Sequence, residues 1–311
     1  MKRLWTILLL VAFAGAGAFW LLTQPRPVLA PAAFAALDAQ GDAARGRVVF
    51  YAGGCAACHK TPGQDDPQRL GGGLVLPSPF GNFHVPNISP HREDGIGSWS
   101  AGDLANAMQA GVSPRGEHYY PAFPFTTYAH AKLADIADLM AFLRTLAPVA
   151  GRTPPHDLPF PFDIRRGLGL WKLLFLDAAP IAPDPARDEA WDRGHYLVAA
   201  LGHCAECHSP RNLAGGIVEA QRFAGGPNPE GKGWVPNITQ AGSGLAAWSR
   251  KDIEQVLESG FTPEYDSVGG SMAAVVRNTA QLSSADRAAM AAFIKSLPPA
   301  EGPARPPKAA R

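Results

Sequence analysis

All four cysteines of this 311-residue chain fall in two copies of one short pattern, Cys55-Ala56-Ala57-Cys58-His59 and Cys204-Ala205-Glu206-Cys207-His208. C-x-x-C alone is shared by redox dithiols, structural disulfides and half zinc sites. Here histidine follows both times and no cysteine is left over. In the C-x-x-C-H form the two thiols add across the vinyl groups of haem, and the adjoining imidazole is held beneath the iron as its proximal ligand. The expectation is two covalently attached haem c groups. Cys55, Cys58 and His59 would hold one; Cys204, Cys207 and His208 would hold the other.

Laying the second motif over the first exposes an internal duplication. Trp99 falls on Trp248, and with small gaps Arg45-Gly46 matches Arg193-Gly194, Val85-Pro86-Asn87-Ile88 matches Val235-Pro236-Asn237-Ile238, and Gly111 matches Gly260. Each half opens with a helix-like segment (45–51 or 193–200) that leads into the cysteine motif. Each ends with an apolar stripe at i, i+3, i+4, i+7 spacing: Ile136, Leu139, Met140 and Leu143, then Met290, Phe293, Ile294 and Leu297. Between them a short helix is predicted, entered at Ser100 with Asp103 or at Ser249 with Asp252, and stopped by Gly111 or Gly260. No strand-like alternation competes with these helices.

An iron bound from below by histidine generally takes a distal ligand for electron transfer, and thioether sulfur raises its potential relative to a second imidazole. In the second half Met272, after Gly269-Gly270-Ser271 on a Gly-rich loop, is the expected distal ligand; Met290 fits the apolar stripe instead. The equivalent position of the first half is Phe123, which cannot coordinate iron. His118 is the first replacement candidate, followed by His130 and Met108, and a five-coordinate iron is the remaining alternative. Asn87 and Asn237 are read as pocket wall in preference to turn formers. Trp99 and Trp248 are read as packing residues.

Lys2 and Arg3 precede an uncharged run from Leu4 to Leu22, about 28 Å long as a helix and close to the thickness of a bilayer core. The positive flank places everything after the run on the outer side, the periplasmic side of a bacterial inner membrane. A cleaved signal ending at Ala33-Phe34-Ala35 is the rival reading, although the run exceeds an ordinary signal core. With 28 Lys and Arg against 27 Asp and Glu, the chain lacks the basic field of a nucleic-acid binder.

The two C-x-x-C-H motifs, the V-P-N-I tetrads, the Tyr120-Pro121-Ala122-Phe123-Pro124-Phe125 segment and the Trp-Ser pair before each middle helix resemble the multihaem cytochrome c family that partners periplasmic membrane-bound dehydrogenases of the alcohol and gluconate type. The likeness covers about residues 40–298. It implies an all-α fold: two tandem class I cytochrome c domains behind an N-terminal transmembrane helix. It also implies covalent haem c and no organic substrate of the chain's own, with His59, His208 and Met272 matching the family's ligands. Two departures stand out: those dehydrogenase partners carry three haems where this chain has two motifs, and their Y-P-A-M-P-Y methionine is here Phe123.

The expected organisation is an anchor or signal (1–24), a linker (25–39), domain 1 (40–150), a Pro-rich and apolar connector (151–187), domain 2 (188–298) and a disordered tail (299–311). The connector's apolar run is expected to pack across the domain boundary in preference to touching the membrane surface. In function the chain is expected to carry single electrons from a periplasmic dehydrogenase or other donor to a downstream oxidase or quinone-linked acceptor. The alternative is a haem enzyme, a peroxidase or sulfur-compound oxidoreductase, working at an open first haem.

Overall fold

The computed structural model describes residues 1–231 and 233–306. Helix α1 (Lys2–Leu22) has none of its residues in a core and is, among the described residues, the one helix long and apolar enough to cross a membrane, with a mean hydropathy of 2.1. After α2 (Phe34–Asp38), the first half runs α3 (Ala43–Ala52), α4 (Cys55–His59), strands β1 (Val75–Ser78) and β2 (Gly81–His84), α5 (Ala101–Ala110), α6 (Phe125–Tyr128) and α7 (Leu133–Leu143). The connector contributes α8 (Leu168–Phe175). The second half repeats the order with α9 (Glu189–Tyr196) and a π-helical turn over Leu197–Leu201, α10 (Cys204–His208), strands β3 (Gly226–Pro227) and β4 (Trp234–Val235), α11 (Arg250–Ser259), α12 (Ser271–Thr279) and α13 (Ser284–Ser296).

The chain is therefore mostly helical, with a correction to all-α: β1 pairs antiparallel with β2, and β3 with β4. These ribbons are too short to show as alternation in sequence. The first is fixed by Gly81, whose φ of 120° makes the reversal, and by Phe83, whose ring packs against Tyr120 and His156.

The middle helices begin and end where their end signals lie. Ser100 and Asp103 form a reciprocal capping box at α5, as do Ser249 and Asp252 at α11, and both helices stop at a left-handed glycine, Gly111 or Gly260. The apolar stripe of α7 is buried, as is that of α13, so each closing helix packs on its opening partner, α7 on α3 and α13 on α9.

That crossing explains the matched Arg-Gly pairs. A methyl group on Gly46 would lie 1.8 Å from the Asp138 carbonyl oxygen, and one on Gly194 would lie 1.9 Å from that of Ala289. The arginine before each glycine then reaches across, Arg45 Nε to Asp138 at 2.7 Å and Arg193 Nε to Asp286 at 2.8 Å. Gly194→Ala must push α9 off α13, and a loss of about 3 kcal/mol is expected in denaturant unfolding of the haem-loaded protein. An unchanged midpoint would show that the crossing has slack.

The segment expected to be a disordered tail is pinned at its start. The Ala300 carbonyl accepts from Asn237 Nδ2 at 2.8 Å, the Glu301 carbonyl accepts from Gln221, and Gly302 backs onto Ala224. Residues 307–311 of that expectation lie outside the described residues.

Candidate functional site

Each cysteine motif forms a single helical turn entered through a left-handed residue, Gly54 (φ 64°) before Cys55 and His203 (φ 42°) before Cys204. His59 Nδ1 lies 2.8 Å from the Pro86 carbonyl, and His208 Nδ1 lies 2.8 Å from that of Pro236. A carbonyl oxygen only accepts, so Nδ1 carries the proton and Nε2 keeps its lone pair for a metal. Burial lowers the pKa of both imidazoles, against the opposing pull of that hydrogen bond, and so favours the neutral ligating form. The V-P-N-I tetrads thus act through the proline carbonyl, a contact that residue patterns alone do not reveal.

Their asparagines hold that carbonyl in place. Asn87 donates to the Val149 carbonyl at 2.7 Å and accepts from the Ser89 amide; Asn237 donates to the Ala300 carbonyl and accepts from the Thr239 amide. Both side chains are buried, and both tie the tetrad to the segment after the closing helix.

The thiols fit covalent attachment better than redox or zinc chemistry. Burial pushes Cys55 and Cys204 up to about 12, and burial followed by the charge of Glu230 pushes Cys58 and Cys207 up to about 11. Reactive dithiols and zinc thiolates need the opposite shift. Among the described residues no three Cys, His, Asp or Glu side chains converge to hold one metal ion.

Tertiary structure brings the two motifs together. A methyl group on Gly54 would lie 3.5 Å from His203 Nε2, and Cys58 and Cys207 are near enough to raise the latter's pKa electrostatically. Helix α6 of the first half crosses to the second motif. Tyr128 donates to the Gly53 carbonyl at 2.7 Å and meets the His203 ring edge-on, while Thr126 and Thr127 donate to Glu206 Oε1 at 2.9 and 2.7 Å. Glu206, buried within the second motif, is also paired with Arg211. Burial works to raise its pKa, but the Arg211 charge and the two threonine hydroxyls outweigh it and hold the carboxyl below its ordinary range. In reverse, α12 of the second half packs on α4 and α3 of the first.

The distal candidates separate. Met272 lies half-buried on the first turn of α12 and not on the expected loop, because the loop ends at Gly270 (φ 57°) and the chain turns helical at Ser271. Phe123 stands half-buried between the rings of Tyr119 and Tyr128. His118, the first replacement candidate, has both its ring nitrogens engaged: Nε2 donates to the Thr23 carbonyl at 2.9 Å, and Nδ1 accepts from Lys172 Nζ at 3.0 Å. Burial lowers the Lys172 pKa to about 7, yet three acceptors match its ammonium hydrogens: His118 Nδ1 and the carbonyls of Ala110 and Gly111. His130 Nδ1 meets the Ala179 carbonyl in the connector, and Met108 is buried in the core on α5. Trp99 and Trp248 pack against the core as expected.

The profile of the cytochrome c family matches residues 43–147 and 192–298, one match on each half. The chain belongs to the cytochrome c family. A dihaem cytochrome c-type protein of Cereibacter sphaeroides is 50% identical over 297 residues, 94% of this chain and 97% of that protein. A nicotinate dehydrogenase subunit of Pseudomonas putida is 38% identical over 81% of this chain, and the fructose dehydrogenase cytochrome subunit of Gluconobacter japonicus is 36% identical over 82%. This cytochrome spans only 21% and 52% of those two relatives. It carries two covalently attached haem c groups and is an electron-transfer protein. Two imidazoles with free Nε2 atoms, two pairs of unionised thiols and, among the described residues, no rival metal cage fit that cofactor.

Proposed function

We propose that Cys55, Cys58 and His59 hold the first haem and Cys204, Cys207 and His208 the second, with Met272 as the second distal ligand. The protein would sit on the periplasmic side of the membrane through α1 and carry single electrons from a dehydrogenase to a respiratory-chain acceptor. Bound haem c supplies reversible one-electron chemistry at iron. The chain's own residues fix the imidazoles that would hold it: the Pro86 and Pro236 carbonyls orient His59 and His208, and the asparagine clamps hold those carbonyls. The observation that carries the reading is the meeting of two such motifs at Gly54 and His203, which serves relay between sites. The dehydrogenase donor is supported by the relatives named as dehydrogenase subunits. Copurification from the membrane fraction with a flavin, molybdenum or quinone dehydrogenase is the expected result. Isolation of the chain alone would argue for a free-standing shuttle.

Met272→Ala is expected to abolish the sulfur-to-iron charge-transfer band of the oxidised protein and to lower the potential of one haem, within the roughly 0.8 V that axial ligands control. A band that persists rejects Met272. His118→Ala should leave both haem spectra unchanged, because its ring is committed to Thr23 and Lys172.

A second reading gains from the same contacts. With His118 engaged elsewhere and Phe123 unable to coordinate, the first iron has His130, Met108 or an open position on its distal side. Carbon monoxide binding to one haem of the reduced, undenatured protein would favour a small-molecule site there; failure to bind it would leave the carrier reading alone.

A further inference from the structure

Helix α8 is built inside out. Its buried positions are Gly169 and Lys172, whereas Leu170, Leu173 and Leu174, at i, i+3 and i+4, face outward at 40%, 56% and 77% exposure. Phe160, Phe162 and Ile164, just before it, are exposed as well. A helix whose outer side meets water carries the reverse arrangement. An outward apolar stripe of this kind marks a non-aqueous neighbour.

The structure places α8 at the end of α1. A methyl group on Gly169 would lie 2.4 Å from Thr23 Cα, the residue that ends α1. Arg166, just ahead of α8, stacks 4.0 Å over the Trp20 ring and donates to the Trp20 carbonyl at 2.6 Å and to Thr23 Oγ1 at 2.9 Å. Thr23 is fully buried by these contacts and by His118, while the whole of α1 before it is bare. Lys172 completes the clamp by binding the last carbonyls of α5 and the His118 ring. Where an apolar span ends in a tryptophan and an arginine, the water boundary of a bilayer lies. The first turns of α8 therefore share that level.

We propose that α8 is a second membrane contact: its leucine face seats in the outer lipid surface and, clamped to the end of α1, holds both haem domains at a fixed tilt. The occupant is lipid, since the stripe continues from the apolar span itself. This rests on the reading of α1 as a bilayer anchor. His118 and Lys172 then have a purpose that needs no iron: they join anchor, seat and first domain.

Electron paramagnetic resonance of oxidised protein in oriented membranes reads haem tilt directly. The full-length haem-loaded chain in multilayers of phosphatidylethanolamine and phosphatidylglycerol is expected to show a sharp dependence of its g values on sample angle. In Leu173→Glu combined with Leu174→Glu, carbonate-resistant membrane retention should persist while that dependence disappears. Both side chains point outward, so the optical spectrum and thermal midpoint of the variant should match the unaltered protein and serve as the folding control. An unaltered protein washed out by carbonate would remove the anchor reading. Retention with equal angular order in both proteins would overturn the seat alone, and loss of a copurifying dehydrogenase with lipid order intact would transfer the stripe to a protein partner.

Discussion

A chain with Cys204→Ser and Cys207→Ser is expected to mature with one covalently bound haem in place of two. Serine cannot form the thioether links, and His208 alone is a single bond to a group that would otherwise exchange freely. The first motif keeps its own histidine hydrogen bond to Pro86, so its haem should remain and its spectrum should be that of the non-Met272 site. Pyridine haemochrome content per polypeptide, with intact mass, measures the outcome. Two haems retained would contradict the assignment of Cys204 and Cys207. The mirror variant, Cys55→Ser with Cys58→Ser, should leave the Met272 site and its charge-transfer band.

Glu206→Ala is expected to loosen one half from the other. The residue is 8% exposed, and its carboxylate pairs with Arg211 and accepts from Thr126 and Thr127, which belong to the first half. Removing it leaves the half-buried Arg211 guanidinium with only the Glu206 and Gly215 carbonyls and two hydroxyls without their acceptor, and breaking a buried pair from one side costs about 3–5 kcal/mol. For a protein of this size that is on the order of 10 °C in the thermal midpoint. Calorimetry of the haem-loaded protein should show a lower and broader transition, splitting toward separate unfolding of the two halves. Glu206→Gln keeps acceptors for the threonines and gives up only the charge, so it should fall in between. A midpoint for the alanine variant within 2 °C of the unaltered protein, a span chosen as roughly the shift of about 1 kcal/mol, would show that the halves are held elsewhere.

Much of the fold was legible because its signals are local. The capping boxes at Ser100 and Ser249, the glycine stops at Gly111 and Gly260 and the stripes of α7 and α13 are each decided within a turn or two of chain. The matched Arg-Gly pairs were visible as a repeat, but their meaning was not: Asp138 and Asp286 lie far along the chain, and only the crossing of opening and closing helices joins them. Likewise Pro86 and Pro236 showed as conspicuous tetrads, while the atom that matters is a backbone carbonyl with no signature in residue type. The contacts that engage the His118 ring were hidden for the same reason. Histidine on a loop reads as a lone pair seeking a metal, and its partners Thr23 and Lys172 come from distant segments.

The sequence by itself determined the cofactor chemistry, the duplication and an apolar leading helix, because covalent attachment and helix ends depend on residues adjacent in the chain. Tertiary structure alone decided that the two motifs touch through Gly54 and His203, that Glu206 fastens one half to the other, and that the lysine of α8 faces in while its leucines face out. Those arrangements depend on which distant surfaces meet, and burial and hydrogen-bond satisfaction are settled only when they do.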